Sequence, residues 1–307
     1  MAEAGSAARG RWLAGLALLS NAFVWGVSWW PLRQLEAHGL HPLWSTALVY
    51  TVSMALMLAV RPRALPAFLR HPAVWILLVA SGLTNVGFNW AVTVGDVVRV
   101  VLLFYLMPAW TVLLAWALLG QRPTAGALLR LALAMAGVFI VLKAPGAPWP
   151  VPEGAADWLS LAGGFSFALT NVLLRRLHAV PAEARVLAMF GGGAAMAALA
   201  ALFGHASGIV PLPPALDAAW AGLALVLSLA FLGGNLGLQY GASRLDAHTS
   251  ALVMLSEVVF ASLSSVALGA AALNGRTLLG GALIVVAAAA SALSGSTEKA
   301  DGAESAP

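Results

Sequence analysis

Ten apolar segments, each long enough to cross a lipid bilayer as a helix, follow one another along this chain of 307 residues. They cover residues 12–32, 43–60, 73–94, 97–119, 125–142, 156–174, 185–203, 217–240, 248–270 and 277–294. Because the hydrocarbon core of a bilayer is about 30 Å thick, about 20 helical residues are needed to cross it. Stretches typical of turns, such as 61–63, 121–123 and 211–214, separate the segments. The pattern predicts an all-α integral membrane protein with ten transmembrane helices.

The composition agrees with a lipid-facing surface and narrows the classes of function. Hydrophobic residues make up 61% of the chain and charged residues only 9%, whereas soluble domains carry about 25% charged residues. The net charge is +4, but the basic residues occur singly between apolar segments, which is not the pattern of nucleic-acid binding. The absence of cysteine excludes disulfides and thiolate sites, and the six histidines lack metal-ligand spacing. We therefore predict no nucleic-acid partner, no metal and no cofactor.

An internal repeat relates the two halves of the chain. Residues 85–96 match residues 235–246, 150 positions later, with amide, glycine, aromatic, hydroxyl and acidic residues in register. A second match relates 25–33 to 167–175. Each half holds five predicted helices, and an odd number gives the halves opposite orientations in the membrane. The sequence therefore predicts inverted repeats about an axis in the membrane plane, an arrangement that opens a central site to each side in turn.

The basic residues predict the orientation of the chain. With the N-terminus in the cytoplasm, 12 of the 16 Lys and Arg residues fall on the cytoplasmic side, so both termini are predicted to be cytoplasmic. The expected organisation is a cytoplasmic tail at 1–11, a first repeat at 12–146, a second repeat at 147–294 and a disordered cytoplasmic tail at 295–307. We predict a monomeric, multi-pass protein of the bacterial inner membrane.

Three short motifs carry a resemblance to a known family. They are the Trp-Gly-Val-Ser sequence at 25–28, Pro108 in the fourth helix, and the Ser-Glu-Val-Val-Phe-Ala stretch at 256–261. With the five-plus-five organisation, they resemble the ten-helix exporters of the drug/metabolite transporter superfamily, the EamA type, across 12–294. The resemblance implies a secondary exporter of small metabolites that works by alternating access.

Two departures from the family pattern bear on the cargo. Val258 stands where the family's Glu-Pro-Val-Phe-Ala stretch has Pro, and Gln121 stands where many members have Glu. Gln121, together with the sequence at 105–108, is similar to the YddG-type exporters of aromatic amino acids. The resemblance therefore implies amino acids, aromatic or neutral, as cargo. Nucleobases or lipophilic drugs are the alternative.

Polar and aromatic residues inside the predicted helices are candidates for lining a central cavity. A polar group in hydrocarbon is costly unless it is paired or hydrated, so such residues mark either a cavity or a contact between helices. The candidates are Asn21, Trp25, Ser28, Asn85, Asn89, Tyr105, Thr170, Asn171, Asn235 and Gln239. The alternative is that the amides join packed helices and that the aromatic residues fill a packing face.

Two further residues are expected to take part in the mechanism. Glu257 lies near mid-depth of the ninth predicted helix, where it is the one carboxylate. A carboxylate that gains and loses a proton as a cavity opens couples transport to the proton gradient, so we predict that Glu257 is a proton-coupling or substrate-amine site. A structural acid bonded to a neighbouring helix is the alternative. Pro108 breaks the hydrogen-bond ladder of the fourth helix, which predicts a hinge or else a passive kink.

Other function classes fit the sequence less well. The chain has no Walker-type motif for ATP. No Lys or Arg lies deep enough to hold a phosphate, and Arg130 is expected to extend to the membrane surface. An enzyme would need a cluster of nucleophile and base, but no motif unites the ionisable candidates Asp96, Asp246, His248 and Glu257. We predict that the chain is not an enzyme and that its partners are a small-molecule substrate, the lipid bilayer and protons.

Overall fold

The computed structural model describes residues 2–143, 151–245, 247–271 and 274–294. All regular secondary structure in these ranges is helical, which confirms the all-α fold. The helices are α1 (Ala2–Val27), α2 (Trp29–Ala37), α3 (Pro42–Val60), α4 (Ala64–Leu69), α5 (Val74–Val94), α6 (Val97–Phe104), α7 (Met107–Leu119), α8 (Ala125–Leu142), α9 (Ala155–Arg176), α10 (Ala182–Ala206), α11 (Ala218–Ala242), α12 (Ala247–Met254), α13 (Ser256–Ala267) and α14 (Gly275–Ser294). The predicted boundary at 146/147 and the predicted tail at 295–307 lie outside the described residues.

Seven segments of the described chain are long and apolar enough to cross a membrane. They are Trp12–Ala37, Pro42–Val60, Val74–Val94, Val97–Leu119, Ala125–Leu142, Ala182–Ala206 and Ala218–Ala242. Shorter apolar helices occur at Ser256–Ala267 and Gly275–Ala290. Helix α9 has 22 residues but carries an acid in its first turn and two arginines in its last. The three remaining predicted spans therefore coincide with α9, with α12 and α13 together, and with α14, and the count of ten stays a prediction.

Three of the predicted spans are interrupted helices. The breaks fall at Ser28, between α6 and α7, and at Leu255. At the first, the Ser28 hydroxyl donates to the Trp25 carbonyl at 2.8 Å. At the second, Pro108 lies in the first turn of α7. Backbone N–H groups in a first turn have no intrahelical acceptor, so the missing N–H of proline costs α7 no hydrogen bond. Helices α6 and α12 each have eight residues and begin 150 positions apart, at Val97 and Ala247.

The helices pack in a pattern that is preserved when the two halves are exchanged. Helix α1 packs on α11 and on the α12–α13 pair, and α9 packs on α5 and on the α6–α7 pair. Helix α3 contacts α10, its counterpart in the other half, and α8 contacts α14 in the same way. The two halves are therefore interleaved rather than side by side. Any space between them is lined by both.

Glycines allow the closest approaches in this arrangement. A Cβ added to Gly87 on α5 would lie 2.7 Å from the carbonyl oxygen of Leu159 on α9. A Cβ on Gly237 of α11 would lie 2.9 Å from the carbonyl oxygen of Ala17 on α1. Both distances are too short for a real side chain, so these crossings require glycine. The two glycines are the matched pair of the sequence repeat and fill the same packing role.

Candidate functional site

One large cavity, of about 1310 Å³, lies between the halves. Its lining residues come from α1, α3, α5 to α14 and the loop between α7 and α8. Most of that lining is apolar, with amide, hydroxyl and charged side chains at separate points. Such a mixture is typical of a site for a small organic solute.

The cavity brings together nine of the residues predicted from the sequence. They are Asn21, Trp25, Asn85, Tyr105, Pro108, Thr170, Asn171, Asn235 and Glu257. These residues are widely spaced in the chain and meet only through the packing of the two halves. Their role in binding stays a prediction.

Three other candidates do not line the cavity. Ser28 is buried and donates to the carbonyl of Trp25. Asn89 is fully buried, and its side-chain nitrogen donates to the Thr46 hydroxyl at 3.2 Å, so it joins α5 to α3. Gln239 is exposed and donates at 2.8 Å to the amide oxygen one helical turn earlier. For Asn89 the alternative role, a contact between packed helices, describes the structure.

A connected set of aromatic rings forms one wall of the cavity. Trp25 stacks on Phe231, with 4.6 Å between ring centroids, and meets Phe88 edge-on at 6.1 Å. Phe104 lies 4.8 Å from Phe88 and 5.5 Å from Phe167. The five rings come from α1, α11, α5, α6 and α9, so both halves contribute. Phe88, Phe104 and Phe231 are largely buried in the packing, and the more accessible rings of the set are Trp25 and Phe167, on which a flat solute is able to stack.

Most of the polar groups in the wall are held in place by neighbours. The Tyr50 hydroxyl donates to the Asn85 side-chain oxygen at 2.6 Å, and the Asn85 nitrogen donates to the Ser81 carbonyl at 2.9 Å. The Asn21 nitrogen lies 3.4 Å from the Met254 sulfur, which is a weak acceptor. The first-half amide is therefore preorganised, since its hydrogen bonds fix its direction.

Tyr105 and Glu257 meet at the centre of the molecule. The Tyr105 hydroxyl donates to Glu257 Oε2 at 3.1 Å and lies 3.3 Å from the Met254 carbonyl oxygen. Tyr105 follows α6 at one helix break, and Glu257 follows the break at Leu255 in the other half. Tyr105 and Leu255 are 150 positions apart, so the two breaks are counterparts in the sequence repeat. A carboxyl group at this point accepts hydrogen bonds when charged and donates one when protonated.

Three arginines line the cavity on the side of the α7–α8 loop. Arg122 lies in that loop, Arg175 lies in the last turn of α9, and both are exposed. Arg130, expected to extend to the membrane surface, is partly buried in the cavity wall and also borders a small pocket beside Tyr105. Ala127 and Ala134, three positions before it and four after, lie on the same face of α8 and line the same pocket.

At the opposite end of the molecule an ion pair joins the two halves, and further polar contacts there lie within the first half. Arg99 on α6 forms a bidentate ion pair with Asp157 on α9, with nitrogen–oxygen distances of 2.9 and 2.7 Å. Its guanidinium also donates to the Val141 carbonyl at 2.9 Å. Arg33 on α2 donates to the Val92 carbonyl of α5 at 3.2 Å. Sequence reasoning placed both arginines at this end but missed the ion pair, since nothing local links α6 to α9.

The described residues contain no group of three or more His, Cys, Asp or Glu that could hold a metal ion. Of the ionisable candidates weighed for an enzyme, Asp96 caps α6 by accepting from the Arg99 backbone N–H at 2.8 Å. Asp246 and the side chain of His248 lie outside the described residues.

Comparison with known proteins identifies the first half. Residues 12–143 match the EamA-like transporter family. The predicted relationship is confirmed over these residues, which cover the predicted first repeat except its last three positions. The matched family is one of membrane transporters, and the match covers less than half of the chain.

The second half of the chain is included in a likeness to a solved structure. A crystal structure whose title states no function has a TM-score of 0.58 to this chain and is 24% identical to it. The similarity covers 91% of this chain and 96% of the other. At that identity the likeness shows the fold alone, but it extends beyond the segment that the family model matches. No curated protein matches the chain.

Proposed function

We propose that this chain is a secondary active exporter of small metabolites that works by alternating access. The observation that carries the proposal is the large cavity between the two halves. It reaches the α7–α8 loop at one end, while the Arg99–Asp157 ion pair joins the halves at the other. A solute site that is open to one side and closed by breakable polar contacts on the other is what alternating access requires.

The proposal includes ten spans arranged as two inverted repeats. The equal lengths and 150-residue spacing of α6 and α12 support it. The exchange-symmetric packing and the matched glycine crossings support it as well. With the N-terminus in the cytoplasm, the α7–α8 loop follows the fourth span and lies on the cytoplasmic side, so the open end faces the cytoplasm of a bacterial cell. An exporter in this state is ready to load cargo from inside.

Amino acids, aromatic and neutral ones first, are the proposed cargo. The aromatic wall suits a ring, and the amides of Asn21, Asn85 and Asn235 offer donors and acceptors beside it. Glu257 is the proposed coupling site, where a proton and cargo compete for one carboxylate. Nucleobases and flat drugs form the second candidate class, since the same wall would stack any planar ring.

The proposal is tested by expressing the protein in a bacterial strain and measuring intracellular accumulation. The panel contains amino acids, nucleobases and lipophilic drugs, each with a matched growth-resistance assay. We expect lower accumulation of, and higher resistance to, aromatic amino acids. Trp25→Ala removes a ring from the cavity wall and is expected to abolish the effect, whereas Trp30→Ala alters a tryptophan that is 44% exposed and does not line the cavity. Unchanged accumulation across the whole panel would contradict the exporter function.

A further inference from the structure

The charges that line the cavity are divided between its two regions. Four charged residues of the described chain take part, namely Arg122, Arg130, Arg175 and Glu257. The two exposed arginines, Arg122 and Arg175, lie at the α7–α8 loop and the end of α9, where the cavity reaches the surface, whereas Arg130 is partly buried in α8. Glu257 lies deep between the helix breaks and is only 8% exposed. The exposed charges at the entrance are therefore cationic, and the one acid of the described lining lies deep in the cavity.

Low-dielectric walls strengthen the effect of such a division. Clefts lined by charge focus field lines, because the surrounding helices and lipid screen the field far less than water does. A solute with one charge meets one favourable region and one unfavourable region. A solute with both charges meets two favourable regions when its positive end points inward. The arrangement thus selects for dipolar solutes and for one direction of entry.

The hydrogen-bonding groups around Glu257 favour a hydrogen-bond donor as the part of the solute that binds deepest in the cavity. The carboxylate has two oxygens, and the Met254 carbonyl adds a third acceptor within reach of the same hydroxyl. Tyr105 supplies one O–H for all of them. A primary ammonium group has three donors and no acceptor, so it matches this imbalance.

We infer that the cavity takes solutes that carry a protonated amine and an anionic group, and that it admits them amine first. The amine binds at Glu257, and the anionic group faces the arginines at the entrance. This inference rests on the proposed export function and adds to it the chemical class and the orientation of the cargo.

Membrane topology by itself would also place arginines at cytoplasmic helix ends. The structure separates the two explanations at one pair of neighbours. Arg175 lines the cavity, whereas Arg176, which is equally exposed and lies in the same turn of α9, does not. Topology treats the two arginines alike, but cargo recognition does not.

The test uses the full-length protein in proteoliposomes and three solutes that share a phenyl ring. Phenylalanine carries both charges, phenethylamine carries the amine alone, and 3-phenylpropanoate carries the carboxylate alone. Initial uptake of each radiolabelled solute is measured, and nucleobases and a lipophilic drug complete the panel. For the native chain we expect phenylalanine to be transported at least about tenfold faster than either single-charge solute, the ratio that about 1.4 kcal/mol of selectivity gives.

Variants assign the two charges to their residues. Glu257→Gln is expected to remove the preference for phenylalanine over 3-phenylpropanoate, and Glu257→Asp to retain it. Arg175→Gln combined with Arg122→Gln is expected to remove the preference over phenethylamine and to weaken the salt dependence of uptake. Arg176→Gln is the matched control and is expected to behave like the native chain. Thermal unfolding of each variant, followed in detergent, identifies any preparation that has not folded.

The outcomes separate the inference from the function on which it rests. Equal transport of all three phenyl solutes, or equal effects of Arg175→Gln and Arg176→Gln, overturns the inference and leaves the exporter. Transport of a nucleobase or drug with none of the phenyl solutes has the same consequence. No transport of any compound by the native chain overturns both. Loss of both preferences in the designated variants, with the control unchanged, supports the inference.

Discussion

The hydrogen bond between Tyr105 and Glu257 connects residues that are 152 positions apart. Tyr105 lies directly after the end of α6, and Glu257 lies in the first turn of α13. Any movement of the two helix breaks therefore changes the surroundings of the carboxyl group. Under the proposed mechanism, this contact lets one side chain sense whether the cavity is open or closed. A proton or a cargo amine at Glu257 alters the strength of that contact, because a protonated carboxyl group donates where the charged one accepts.

Glu257→Gln is expected to abolish the dependence of export on the proton gradient. The amide keeps the shape and the hydrogen bond to Tyr105 but cannot exchange a proton. Uptake into inside-out vesicles, measured with and without an imposed pH gradient, checks this. Glu183→Gln, at a partly buried acid in the first turn of α10 that does not line the cavity, serves as the control. A Glu257→Gln protein that still responds fully to the gradient would rule out the coupling role.

At the scale of helices, glycine positions set how closely the halves approach. Helices α5 and α9 cross at Gly87, and α11 and α1 cross at Gly237, with the neighbouring backbone less than 3 Å from where a Cβ would be. Interiors at native density have no space to absorb an added methyl group. The length and apolar character of each helix come from its own residues, but the distance between helices depends on these contacts.

Gly87→Ala is expected to destabilise the protein by about 1–3 kcal/mol, the usual cost of overpacking. The added methyl group would push α9 away from α5 and lower the thermal unfolding temperature in detergent. Gly233→Ala is the matched control, because that helical glycine on α11 has no atoms within 4 Å of its added Cβ. Alanine there is expected to leave the unfolding temperature unchanged or raise it, since alanine is the better helix former. Equal unfolding temperatures for the two variants would contradict the close crossing.

At the scale of the whole molecule, the packing of the helices is symmetric on exchange of the halves. The Arg99–Asp157 ion pair at one end of the cavity does not follow this symmetry. The repeat offset pairs Arg99 with Thr249, and the second match pairs Asp157 with Gly15. Neither Thr249 nor Gly15 carries a charge, so an ion pair of this kind closes only one end of the cavity. A contact present in one of two conformations shifts the equilibrium toward that conformation. The Arg99–Asp157 pair therefore favours the state described here.

Asp157→Asn is expected to increase the population of the state that opens at the Arg99 end. Hydrogen bonds to charged groups contribute about 1.5–3 kcal/mol, and each 1.4 kcal/mol shifts an equilibrium tenfold. The chain has no cysteine, so a single Thr84→Cys reporter in the cavity wall gives an unambiguous signal. Labelling of that reporter by an impermeant maleimide from outside the cell should become at least about tenfold faster.

The control for this experiment is Asp217→Asn, which changes an exposed acid at the start of α11. It is expected to leave the labelling rate unchanged. If Asp157→Asn labels no faster than this control, the ion pair does not hold the cavity closed.

Local features of the sequence were enough for the helices and for part of the cavity lining. Apolar length and turn residues placed the helical segments, and Pro108 marked the break between α6 and α7. The polar residues within apolar segments included nine that line the cavity. These features are local because helix length, backbone hydrogen bonding and the cost of a polar group in lipid depend on neighbouring residues.

The sequence by itself thus determined an all-helical chain that suits a membrane, its internal repeat and the residue types available to a central site. Only the tertiary structure decided that Asn85 faces the cavity while Asn89 contacts α3, and that Arg130 turns inward. It also decided that Arg99 pairs with Asp157. The reason is that the rotation of a helix about its axis, and the identity of its neighbours, depend on packing between segments far apart in the chain, 43 positions for Asn89 and Thr46 and 58 for Arg99 and Asp157. No local pattern records that packing.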